Sequence, residues 1–74
     1  MRDCNTRAWS TSYISSVRNM RCSGAVDVLR RYRGVVNRVF RVSGFRCERV
    51  SGAPQGGQWR CARAEKAFRF EFAD

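Results

Sequence analysis

The sequence predicts a small α+β domain: one helix packed on a three- or four-stranded antiparallel sheet and stapled by two disulfides. Three observations carry this reading. Four cysteines, Cys4, Cys22, Cys47 and Cys61, stand widely spaced in 74 residues that contain no histidine. Helical spacing of apolar residues occurs between residues 23 and 33, and strict two-residue alternation occurs near the C-terminus. The chain is also too short to rely on its core alone, because a domain of this size buries only about 60% of its unfolded surface.

At this length the whole of residues 1–74 is one domain. Residues 1–11 are polar apart from Trp9 and are expected as a coil arm held by Cys4. Residues 12–21 carry Tyr13, Ile14, Val17 and Met20 on both faces, and their β-branched and aromatic content predicts a strand. The helix is expected over 23–33. Ser23 is a suitable N-cap, and Ala25, Val28, Leu29 and Tyr32 fall on one face at i, i+3, i+4 and i+7. Arg30, Arg31 and Arg33 complement the carbonyl end of its dipole, and Gly34 is a natural stop.

Residues 38–72 read as antiparallel strands. Val39, Phe40 and Val42 lead in, Phe45–Val50 is a strand, and the Gly/Pro-rich run from Ser51 to Gly57 is a loop. Gln58–Ala64 returns, and Glu65–Lys66 turns into a strand in which Phe68, Phe70 and Phe72 alternate with Arg69 and Glu71. One alternating face must pack on the helix, so Phe68, Phe70, Phe72, Val28 and Leu29 are the expected shared core.

Four cysteines allow three pairings. A hairpin centred near Pro54 would place Cys47 and Cys61 opposite one another, within disulfide reach, leaving Cys4 to tie the arm to Cys22 at the helix entrance. Successive cysteines are separated by 17, 24 and 13 residues, which is not the close pairing of a structural zinc site. Without histidine the usual Cys–His catalytic pair cannot form. The carboxylates Asp3, Asp27, Glu48, Glu65, Glu71 and Asp74 are scattered, and Glu48 and Glu71 fit surface ion pairs better than acid–base work. No enzyme activity, cofactor or metal is expected.

Charge is the functional signal. Fifteen basic residues against six acidic ones give a net charge of +9, and all the basic residues but Lys66 are arginine. Arginine grips phosphate or carboxylate bidentately, although GC-rich codon usage alone also enriches it. Arg46, Arg60 and Arg69 are out of phase with their bulky neighbours and would share one strand face; Arg30 and Arg31 on the helix complete the candidate anion-binding set. The aromatics Trp59, Phe68 and Phe70 allow a base-stacking platform, but as core residues they are already accounted for. No apolar run is long enough to span a bilayer.

The segments Val17–Val26, Gly44-Phe45-Arg46-Cys47 and Trp59-Arg60-Cys61-Ala62-Arg63, followed by Phe68-Arg69-Phe70, carry a resemblance. Over residues 17–72 the chain resembles small extracytoplasmic disulfide-containing domains of actinobacterial secreted proteins and lipoproteins, modules without assigned activity. The resemblance implies a disulfide-stapled accessory fold and adds no catalytic residue. Ala64 stands where those domains commonly carry glycine after the last cysteine.

The functional expectation is a secreted, non-enzymatic cationic module. Its partner is anionic: a cell-envelope polymer, a nucleic acid or an acidic protein surface. Even cysteine usage favours an extracellular or envelope location, with Met1 a start added to a mature domain, since residues 1–5 hold no apolar signal segment. The alternative is a phage-like cytoplasmic protein, beginning natively at Met1, that binds and inhibits host transcription machinery or nucleic acid. A third reading is a secreted cationic antimicrobial or inhibitor peptide.

Overall fold

The structure, a computed structural model, describes residues 2–9, 12–32, 39–51 and 56–73, with backbone alone for 2, 56, 72 and 73. In chain order the elements are β1 (Arg2–Trp9), β2 (Ser12–Arg18), α1 (Cys22–Arg30), β3 (Phe40–Val42), β4 (Phe45–Ser51), β5 (Gly56–Arg63) and β6 (Lys66–Ala73). All six strands form one sheet in the order β1-β2-β6-β5-β4-β3, and every neighbouring pair is antiparallel. The expected helix on a three- or four-stranded sheet is therefore corrected: the fold is dominated by a six-stranded sheet, with one short helix.

The largest departure is the N-terminal arm, which is strand β1 and not coil. Its pairing with β2 is broken by register shifts between Asp3 and Thr6 and between Arg7 and Trp9, and Asn5 sits at φ +54°. Such irregularities erase the two-residue alternation that marks a strand in sequence. Tertiary ties hold β1 in place. Cys4 is bonded to Cys22 with Cα atoms 5.6 Å apart, and Arg30 Nε donates to the Ala8 carbonyl at 2.9 Å.

A bulge also explains the mixed pattern of β2. The register with β6 shifts between Ile14 and Ser16, so Ser15 is the extra residue and Ile14 and Val17 both turn inward. The Ser15 hydroxyl donates to the Arg69 carbonyl at 3.2 Å across this irregularity.

The helix is shorter than expected and begins earlier. Arg21, not Ser23, is its N-cap, and no side chain caps it; the Cys4–Cys22 bond fixes the entry instead. Ala25, Val26 and Leu29 are its buried residues, with Val28 and Tyr32 packed half-buried against the core. Arg33 and the expected stop at Gly34 lie outside the described residues.

The core contains Trp59, Phe68, Phe70, Ile14, Leu29 and Val17, none more than 2% exposed. The Phe72 side chain lies outside the described residues. Trp59 and Phe70 stack with ring centroids 6.2 Å apart, Phe45 meets Phe68 at 5.4 Å, and Phe40 meets Trp59 at 5.8 Å. The helix packs on β1 and β2. Just past its end, Tyr32 stacks on Phe40 of β3 with centroids 3.9 Å apart. In a flat sheet β2 and β3 would be about 19 Å apart, four strand spacings. The helix end and the Tyr32 side chain together bridge that distance and tie the helix to the far edge of the sheet.

Cys47 and Cys61 are directly opposed in the β4–β5 register, with Cα atoms 4.0 Å apart and both side chains fully buried. The midpoint of this hairpin, including Pro54, lies outside the described residues. The β3–β4 turn is Ser43-Gly44, both at positive φ, +50° and +83°, as two-residue hairpins between twisted strands prefer. A β-carbon on Gly44 would sit 3.0 Å from Arg63 Nε, a contact the exposed Arg63 side chain can relieve by moving, so the positive φ is what favours glycine here. The β5–β6 turn is Ala64-Glu65, one residue earlier than expected, with Ala64 at φ +52°.

Candidate anion-binding face

The pleat sorts β4, β5 and β6 by alternate residues. Phe45 and Cys47, Trp59 and Cys61, and Phe68 and Phe70 turn into the core. Their sequence neighbours therefore turn outward, onto a face that neither the helix nor any other element covers among the described residues. Register then places the outward residues in two rows across the sheet. One row reads Ser16, Arg69, Arg60, Glu48; the next reads Arg18, Ala67, Ala62, Arg46, Arg41.

Two like-charged pairs lie directly opposite each other in this array: Arg60 faces Arg69, and Arg41 faces Arg46. Directly opposed side chains on an antiparallel pair have β-carbons about 4.5–5.5 Å apart, and like charges there repel. Glu48 stands directly opposite Arg60 in the register, yet its ion pair is made to Arg46. Glu48 bonds Arg46 at 3.0 Å, in an exposed pair that contributes little. Glu71, expected in an ion pair, instead accepts hydrogen bonds from the Tyr13 hydroxyl and from Gln58 Nε2. The Glu71 hydrogen bond, followed by burial and the charge of Glu71, holds the Tyr13 phenol above its ordinary value. Among the described residues Arg18, Arg60 and Arg69 make no ion pair.

The arginines enclose a shallow depression. Ser16, Arg18, Arg60, Ala67 and Arg69 line a hollow of about 220 Å³. It adjoins a second, of about 500 Å³, which shares Arg18, Arg60 and Ala67 and extends past Asn19 and Lys66 to the Ala64-Glu65 turn. Ala67 is only 7% exposed although it faces outward. Arg69 Nε is buried and meets no acceptor among the described residues.

The structure thus brings Arg46, Arg60 and Arg69 onto one face and separates them from Arg30 and Arg31. Those two lie at the helix end, packed on the other side of the sheet, where Arg30 is engaged with Ala8. Sequence reasoning missed Arg18, Ser16 and Lys66. Arg18 was hidden because the Ser15 bulge shifts the phase of β2; a hairpin register drawn from the Ala64-Glu65 turn would have found the Arg60–Arg69 pair. The stacking platform is excluded by burial, since Trp59 and Phe68 are 1% exposed and Phe70 is fully buried. No three metal-ligating side chains converge among the described residues, and none of their helices is long and apolar enough to cross a membrane. Comparison with family models, curated proteins and solved structures finds no match.

Proposed function

We propose that this chain is a small non-enzymatic cationic module that engages an anionic partner through the uncovered, arginine-bearing face of its sheet. The observation that carries the reading is the Arg60–Arg69 pair, two like charges held opposite one another; Glu48 faces Arg60 from the next strand, but its ion pair is made to Arg46, and neither Arg60 nor Arg69 makes one among the described residues. A face left in that state costs stability in the free protein, and an anion laid across it removes the cost while forming charge-assisted hydrogen bonds. Nucleic acid enters this reading through its phosphates, because the aromatics that would stack bases are inside. Two disulfides are compatible with an oxidising, extracellular location.

The test is equilibrium binding to an oligodeoxythymidylate, a teichoic acid and anionic vesicles at two salt concentrations. Each phosphate neutralised on a single strand contributes a slope of about −0.7 in log K against log salt. Arg60→Ala and Arg69→Ala should each reduce the magnitude of that slope by the equivalent of about one contact. Weak binding to all three at low salt would end the proposal. An acidic protein partner would show itself instead by large losses at single arginines with modest salt dependence.

A further inference from the structure

Resting on that reading, we propose that the hollow over Ala67 is a discrete subsite for one tetrahedral phosphate-type group, bound by Arg18, Arg60, Arg69 and the Ser16 hydroxyl. Three guanidinium-bearing strands, β2, β5 and β6, contribute one arginine each to its wall. That arrangement suits an anion with oxygens pointing in several directions, whereas a carboxylate presents two oxygens in one plane. The floor is cleared for it. Ala67 opposes Ala62 in the register, so no large side chain rises between Arg18 on one flank and Arg46 on the other.

Two further observations point to an occupant. Arg69 Nε is a buried donor without an acceptor among the described residues, as Trp59 Nε1 is in the core; buried donors are seldom left unmade, and a turn of the Arg69 side chain toward the hollow would give this one an anion to meet. Ser16, on the outward side of β2, is only 7% exposed and stands in the same wall. At about 220 Å³ the hollow is smaller than the roughly 300–1,000 Å³ of sites for drug-sized ligands, so it takes a group and not a whole molecule. The adjoining hollow of about 500 Å³ carries Lys66 but also Glu65 on its rim. The rest of the ligand leaves through it, as a second phosphate or a continuing phosphodiester chain.

Inorganic pyrophosphate and an oligodeoxythymidylate, titrated separately at constant ionic strength, distinguish these sources. Binding is followed by calorimetry and by the Nε–Hε resonances of the arginine side chains. The expected result is saturable one-site pyrophosphate binding that shifts the Arg69 resonance. Arg69→Ala should weaken it about tenfold or more, Arg46→Ala should weaken it less, and the charge-matched Arg21→Ala on the helix side should leave it unchanged. Ala67→Leu, which fills the floor, should abolish it while a dispersed spectrum shows that the fold persists. If that variant unfolds, Arg69→Ala carries the test. Equal affinity for the two probes identifies a free phosphate ester as the ligand, and tighter oligonucleotide binding identifies a polymer; both support the subsite. Oligonucleotide binding without saturable pyrophosphate binding, or with equal losses from Arg46→Ala and Arg69→Ala, overturns the subsite and leaves the cationic face standing. Failure of both probes overturns the subsite and removes phosphate from the partner classes of the face.

Discussion

The two faces of β5 and β6 are built from the same residues read in alternation, and they obey opposite rules. On the inner face Trp59, Cys61, Phe68 and Phe70 are sealed from water, each at most 1% exposed. On the outer face Arg60, Ala62, Ala67 and Arg69 put like charges opposite one another around a floor of methyl groups. Burying one large aromatic stabilises by roughly 1.5–3 kcal/mol, whereas an opposed like-charge pair costs at most about 1 kcal/mol. The inner face can therefore sustain an outer face arranged for something other than stability. That division is what a small binding domain requires, and it can be attacked from either side.

The largest effect should come from the inner face. Phe70→Ala should lose about 3–5 kcal/mol, enough to unfold a domain of this size; a chemical denaturation midpoint near that of the parent would show that the aromatic cluster does not hold the sheet. Removing the opposed cysteines together, as Cys47→Ala with Cys61→Ala, should cost about 2–4 kcal/mol through the freed loop in the unfolded chain. Thermal unfolding measures it, and a loss confined to reducing conditions in the parent would report the same bond.

Smaller effects belong to the turn and to the outer face. Ala64 occupies φ +52°, where a β-carbon crowds the following carbonyl. Ala64→Gly should therefore stabilise the protein by about 0.5–1 kcal/mol, less the entropy glycine adds to the unfolded chain. A destabilised variant would mean that the turn is held by contacts of the methyl group. Tyr13 gives the outer face a pH signature. Its folded value lies above the ordinary tyrosine value of about 10, so its contribution is present below that pH and is lost as pH rises through the raised folded value. Thermal stability scanned through the alkaline range should fall more steeply for the parent than for Tyr13→Phe, and coincident alkaline limbs would count against the Tyr13–Glu71 contact.

The same division decided what could be read in advance. The inner face of β6 was legible because Phe68 and Phe70 alternate strictly with Arg69 and Glu71, and that alternation also put Arg46, Arg60 and Arg69 on a common side. β1 was not legible. Its strand character comes from pairing with β2 and from the tie to Cys22, while Asn5 and its register shifts scramble the local pattern. Arg18 escaped for a related reason, since the Ser15 bulge reverses which residues of β2 face out. The hollow over Ala67 needs three strands in register, and no local window of sequence contains that information. Arg30 and Arg31 looked equivalent to the strand arginines by charge alone, and only the topology places them on the other side.

On the proposed reading, Arg60 and Arg69 repel one another in the free protein and are reconciled by a bound anion. A double-mutant cycle on Arg60→Ala and Arg69→Ala, read by unfolding free energy at low salt, measures that coupling directly. The expected coupling in the free protein is repulsive, a few tenths to about 1 kcal/mol, and becomes attractive when tripolyphosphate is added at matched ionic strength. A zero or attractive coupling in the free protein, unchanged by tripolyphosphate, would contradict it.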